Sequence, residues 1–186
     1  MHSSRSRVCV YCGSRSGAQP AYKETARALG RGLANHGIGL IYGGGAAGVM
    51  GALADAALAA NGEVIGVIPR ALFKRDLAHN GLSELIVVDD MPQRKAQMAA
   101  RAQAIIGLPG GLGTLEEMSE VLSWAQLDLH DKPICLLNVD GYFDALISFL
   151  RQAVIADFLQ PEHQALLRVF NEVDPLLATL RDGEII

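Results

Sequence analysis

Short apolar runs that alternate with longer amphipathic stretches constrain this chain more than any other feature. The runs are Val8–Cys12, Leu40–Tyr42, Val64–Ile68, Leu85–Val88, Ala104–Leu108 and Ile134–Leu137, with a weaker seventh at Arg168–Phe170. They are apolar throughout rather than alternating, which marks strands covered on both faces. The stretches between them carry helical periodicity. From Ala21 to His36, Tyr22, Ala26, Leu29 and Leu33 share one face, and Gly37 can stop the helix. Val49 to Ala60, Thr114 to Leu129 and Tyr142 to Ala156 read the same way. Strand–helix alternation at this spacing implies parallel strands joined by right-handed crossovers. The expectation is a single doubly wound, Rossmann-like three-layer α/β domain over 1–186, with a mostly parallel sheet of six or seven strands and a disordered polar tail at 1–6. Pro69 to Gly81 reads as a loop or short helix over the sheet edge.

Charge and length exclude several classes. The 186 residues suit one compact domain, and only 5% are aromatic, so the core is built from Ala, Val, Leu and Ile. A formal net charge of −4 argues against a nucleic-acid polymer as partner, because duplex binders carry a basic footprint. No apolar run reaches the roughly 18 residues of a membrane span, and Met1 to Ser6 has no apolar signal segment. Three cysteines, an odd number, fit a reducing interior, so the expected location is cytoplasmic. Cys9 and Cys12 have C-x-x-C spacing, but positions three apart on a strand face opposite ways, so buried apolar cysteines are the better reading.

In a parallel sheet every strand-to-helix loop leaves at the same edge, and ligands bind there. The loops begin with Gly13-Ser14, with Gly43-Gly44-Gly45-Ala46-Ala47-Gly48, with Asp89 to Lys95, and with Pro109-Gly110-Gly111-Leu112-Gly113-Thr114. Gly43, Gly45 and Gly48 have dinucleotide spacing. The acid that usually follows about 20 residues on is missing, since that strand ends Ile68-Pro69-Arg70 and Glu63 lies at its other end. Tight strand–helix packing is the competing reading of those glycines. The second glycine loop runs into a helix, lacks the G-K-[ST] of a Walker loop, and offers an anion its backbone amides. Thr114 and Glu117 have the spacing of a capping box. Asp90 can cap a further helix, which puts Arg94 and Lys95 near its positive end, where a bound anion would offset their charge.

These motifs together resemble the Lonely Guy family of cytokinin riboside 5′-monophosphate phosphoribohydrolases. The resemblance rests on Tyr42-Gly43-Gly44-Gly45 with Gly48-Val49-Met50-Gly51, on Met91-x-x-Arg94-Lys95, and on Pro109-Gly110-Gly111-x-Gly113-Thr114-x-x-Glu117. Val10-Tyr11-Cys12-Gly13-Ser14, Trp124-Ala125-Gln126-Leu127 and Leu137-Asn138-Val139-Asp140-Gly141-Tyr142 extend it over nearly the whole chain. It implies hydrolysis of the N-glycosidic bond of a nucleoside 5′-monophosphate, giving free base and ribose 5-phosphate. It implies Arg94 and Glu117 as the catalytic pair, and the phosphate on Gly110, Gly111, Leu112, Gly113 and Thr114. Met91, Lys95, Leu115, Glu116, Ser123, Ser14, Gly43, Gly44, Gly45 and Asp76 are expected near the substrate. It also implies a homodimer. The alternatives are a non-catalytic nucleotide or cofactor carrier of the same fold, or an NAD(P)-binding enzyme.

The chemistry implied requires no metal and no cofactor. Breaking a ribosyl C–N bond develops positive charge on the sugar, which a carboxylate can stabilise while orienting water. Glu117 fits if it faces the ribose rather than the protein interior. Arg94 stays protonated and so is expected to orient Glu117 or bond the sugar or base, not to act as an acid. Relatives are often labelled lysine decarboxylases. None of the four lysines here has a Schiff-base context, and the chain is short for a pyridoxal phosphate enzyme.

Overall fold

The computed structural model describes residues 6–73 and 77–181; the tail at 1–5 and Asp76 lie outside them. Every apolar run is a strand: β1 (Arg7–Tyr11), β2 (Gly39–Tyr42), β3 (Val64–Pro69), β4 (Glu84–Val88), β5 (Ala104–Gly107), β6 (Ile134–Leu137) and β7 (Leu167–Phe170). They form one sheet in the order β4-β3-β2-β1-β5-β6-β7, with every neighbouring pair parallel. β1, β2, β3, β5 and β6 are buried or nearly so along their length, because helices cover both faces.

The main helices are α1 (Pro20–Asn35), α2 (Gly48–Ala59), α4 (Met91–Ala100), α5 (Leu112–Gln126), α6 (Asp144–Ile155) and α8 (Val173–Arg181); α3 (Arg70–Phe73) and α7 (Pro161–Gln164) are single turns. On one face Leu29 of α1, Leu53 of α2 and Leu176 of α8 pack with Val8, Leu40 and Ile106. On the other, Met98 of α4 and Val121 of α5 pack with Cys9, Ile41 and Ile105, and Leu146 of α6 lies against them. Cys9 and Cys12 fall in these two separate clusters, both buried and free. Burial pushes the Cys9 thiol up to about 12, which keeps it a neutral apolar filler.

Two helix starts differ from the sequence reading. α6 begins at Asp144 rather than Tyr142, because Asp140 (φ 50°) and Gly141 (φ 72°) are left-handed and make a tight turn first. α5 begins at Leu112, two residues before Thr114. The stretch from Pro69 to Gly81 opens with α3, and its far end returns to the first glycine loop: Ala46 N–H donates to Leu77 O (3.1 Å) and His79 N–H to Gly44 O (2.9 Å). Glu63 is far from the glycine loops, paired with Arg7 at the opposite edge (2.9 Å).

Candidate active site

The chain winds outward from β1 to β4 and then returns to place β5 on the other side of β1. Loops leaving β1 and β5 therefore diverge, and the crevice between them is where such sheets bind ligands. Gly13 N–H donates to Pro109 O (3.0 Å), tying the two loops together at its base. Gly111 takes the N-cap position of α5, and no side chain caps that helix. Among the described residues the N–H groups of Gly111, Leu112, Gly113 and Thr114 have no acceptor. A Cβ on Gly111 or Gly113 would meet nothing within 4 Å. A helix of 15 residues thus points free donors and its positive dipole end into open space.

The capping box is therefore corrected. Thr114 and Glu117 lie inside α5, each 3% exposed, and bond neither each other nor the helix terminus. The physical reason is the glycine at 111, which turns the chain early enough for the helix to start before Thr114. Thr114 packs against Gly110, whose own Cβ would fall 2.0 Å from Thr114 Oγ1.

Asp90 caps α4 through its carboxylate, which accepts from Gln93 N–H (2.8 Å). One turn later Arg94 is 5% exposed. Its Nε donates to Val67 O within β3 (3.1 Å) and its Nη1 to Glu117 Oε1 (2.5 Å). The guanidinium lies close against the first glycine loop, where a Cβ on Gly43 would fall 2.0 Å from Arg94 Nη2. Lys95 turns to the next face and pairs with Glu116 and with Glu120 (2.9 Å). Both cations thus have carboxylate partners on α5, one turn of α4 facing three acids of the neighbouring helix, and neither needs a bound anion for its counter-charge.

Burial pushes the Glu117 carboxyl above the usual carboxylate range, and the Arg94 guanidinium pulls it back in part. The Arg94 guanidinium that faces it favours its ionised form against that burial. Glu117 is buried but not lost to the interior, since it lines the cavity that the crevice encloses, about 900 Å³ in volume. That size falls in the range of small-ligand sites, roughly 300–1,000 Å³.

The cavity brings together most of the residues expected there. Arg94, Glu117, Met91, Ser14, Gly43, Gly45 and the whole of Gly110–Thr114 line it. Lys95, Glu116, Leu115, Ser123 and Gly44 do not. Leu115, Glu116 and Ser123 project outward from α5, and Gly44 backs onto Ile68 and Leu85. Sequence reasoning missed Tyr22, Tyr142 and Arg15, and the apolar wall of Met50, Ile68, Leu72 and Leu77. Tyr22 was counted into the buried stripe of α1; Tyr142 stood in a motif, Leu137 to Tyr142, with nothing to say which way it faced. Among the described residues no lysine lines the cavity.

Fold and site define a Rossmann-like α/β protein whose switch-point crevice holds an uncapped helix N-terminus beside a buried arginine–glutamate pair. Residues 50–180 match the family model described as "Possible lysine decarboxylase". The chain is 49% identical over 178 residues to the cytokinin riboside 5′-monophosphate phosphoribohydrolase LOG7 of Arabidopsis thaliana, covering 96% of this chain and 82% of that protein. It is 44% identical over 176 residues to LOG1 of the same plant, covering 95% and 83%. The chain belongs to this Lonely Guy family of phosphoribohydrolases. Among solved structures, the molybdenum cofactor carrier protein of Chlamydomonas reinhardtii superposes with a TM-score of 0.74 at 22% identity, over 96% of this chain and 97% of that one, which is a likeness of fold.

Proposed function

We propose that this protein is an enzyme that hydrolyses the N-glycosidic bond of cytokinin-type or purine nucleoside 5′-monophosphates, releasing the base and ribose 5-phosphate. One observation carries the reading: the buried Arg94–Glu117 pair lines the same cavity as the free amides of Gly111–Thr114. The amides bind the phosphate, and that binding energy, remote from the bond that breaks, holds the ribose over Glu117. As the C–N bond lengthens, positive charge grows on the sugar. Glu117 stabilises it and directs a water onto the anomeric carbon. Arg94, fixed by Val67 O, keeps the carboxylate ionised and aimed.

The fold shared with a cofactor carrier leaves a carrier as the competing class. Carriage of an anion gains nothing from a carboxylate buried beside it, which favours the enzyme. The family's activity in close relatives supports the same choice. Incubation with AMP and chromatography of the products tests it. Adenine and ribose 5-phosphate are expected in equal amounts; tight binding without turnover defeats the proposal.

The protein is further proposed to act in the cytoplasm as a homodimer joined near the cavity mouth. Met91 and Leu112, which line the cavity and are 40% and 86% exposed, give its mouth an apolar surface that a second copy would cover. Among the described residues no helix is long and apolar enough to cross a membrane. Sedimentation at micromolar concentration is expected to give twice the 19.8 kDa chain mass.

A further inference from the structure

A backbone loop that binds an anion has to present N–H groups and keep its carbonyl oxygens turned aside, because each exposed oxygen repels the ligand. The loop from Pro109 to Gly111 has three carbonyls immediately before the free amides, and all three are occupied. Pro109 O accepts from Gly13 N–H (3.0 Å) and Gly111 O from Leu115 N–H (3.0 Å), both backbone bonds. Gly110 O is different: it accepts from the hydroxyl of Tyr142 (2.5 Å), a side chain 32 residues away.

Tyr142 is held for that task. Its ring meets Tyr22 edge-on (centroids 5.3 Å apart, 72° between planes) and Phe143 likewise (4.8 Å, 89°). The turn that carries it is pinned by Asn138, whose side chain accepts from Phe143 N–H (2.7 Å) and donates to Asp144 (2.8 Å). Gly110 has no slack of its own, since a Cβ there would strike Thr114 and the Gly13 nitrogen. Across one peptide unit the C=O and the following N–H point in opposite directions. Fixing the Gly110 carbonyl toward Tyr142 therefore fixes the Gly111 N–H the other way.

We propose that Tyr142 is a positioning residue for the phosphate subsite: its hydroxyl draws the Gly110 carbonyl aside and so aims the Gly111 amide at the anion, with Tyr22 bracing its ring. The inference rests on the reading that the nucleotide phosphate sits on the amides of Gly111–Thr114.

The test compares the wild-type chain with Tyr142→Phe, which keeps the ring and both edge contacts and removes only the hydroxyl. Calorimetric titration with ribose 5-phosphate and with inorganic phosphate reads the subsite without turnover; steady-state kinetics with AMP reads the reaction. Binding of both anions is expected to weaken by the same factor, about five- to tenfold, the scale of one hydrogen bond. KM for AMP rises by that factor while kcat and the thermal midpoint stay put. Inhibition by free adenine is unchanged. Unaltered anion binding in Tyr142→Phe overturns the proposal. So does a loss confined to adenine, which would make the tyrosine pair a platform for the base. A wild-type chain that binds neither anion while still freeing adenine from AMP would overturn the phosphate subsite and this inference with it, yet leave the proposed reaction standing.

Discussion

Two glycine-rich loops leave the same edge of the sheet and each feeds a helix, yet they do opposite things with their amides. In the loop before α2, Val49 N–H donates to Arg15 O (3.3 Å), Met50 N–H to Gly13 O (3.1 Å) and Ala46 N–H to Leu77 O (3.1 Å). Tyr42 hydroxyl takes the Gly45 carbonyl (3.2 Å). Its glycines are there for close approach: a Cβ on Gly43 would displace Arg94, and one on Gly48 would sit 2.4 Å from the Ser14 backbone. In the loop before α5 the amides are free and Gly111 and Gly113 face open space. A glycine-rich turn into a helix is thus an anion site only when nothing in the protein has already taken its donors. The Val49 and Met50 donors at the start of α2 are already taken, so that helix end offers a dinucleotide pyrophosphate less than the open end of α5 does.

The largest effect should come from the acid beside the open loop. Glu117→Ala is expected to lower kcat for AMP by about a thousandfold, within the range of a lost general base, while ribose 5-phosphate still binds. Adenine release at the wild-type rate would remove Glu117 from the mechanism and leave the open loop as a binding site alone. The next effect belongs to the filled loop. Gly48 has φ 66° and touches the Ser14 backbone, so Gly48→Ala is expected to cost about 2–3 kcal/mol of stability through left-handed strain and contact. Chemical denaturation measures it. An unchanged midpoint would mean this loop is not the tightly packed one.

The fold was legible because its signal is carried by many residues. Runs such as Val64–Ile68 stay apolar through every position, as parallel strands covered on both faces do. The edge strand at Arg168–Phe170 was faint because only one neighbour pairs with it and half of it faces outward. The site was legible in its loops and, through the resemblance, in the Arg94–Glu117 pair, but not in where Lys95 turns. Arg94 and Lys95 adjoin in sequence, but one is buried against Glu117 and the other reaches Glu116 and Glu120. Which way each turns depends on how α4 rests on α5, and no local pattern encodes that. The same holds for Thr114-x-x-Glu117, where a short-range motif lost to tertiary packing once Gly111 had started the helix.

Gly111→Ala sharpens the contrast from the other side. With no atom within 4 Å of the added methyl, stability is expected to stay within about 0.5 kcal/mol of wild type. If the glycine served the fold, that would be the end of the matter. If it serves a ligand, the methyl stands where the phosphate approaches, and ribose 5-phosphate binding weakens about tenfold, the scale of a lost bond to a charged group. A variant neutral in both measurements would make the open loop as inert toward anions as the filled one.

The smallest expected effect is a displaced titration. Glu117 must be ionised to stabilise a cationic sugar, so kcat/KM falls as pH drops through its pKa. Burial has raised that pKa, and the acid limb therefore lies above the pH at which an exposed glutamate would titrate. Arg94 acts in the other direction, favouring the charged form. Arg94→Met should move the carboxyl higher still, read by carbon-13 NMR of labelled glutamate without need of turnover. The linked stability has a definite sign: a folded-state pKa above the unfolded one means that ionising Glu117 costs stability, in full above the folded value and regained as pH falls toward the unfolded one. Arg94→Met enlarges that cost and extends it to higher pH, whereas a carboxyl that titrates unmoved in the variant would mean that the guanidinium, 2.5 Å away, does not hold the charge the open loop needs beside it.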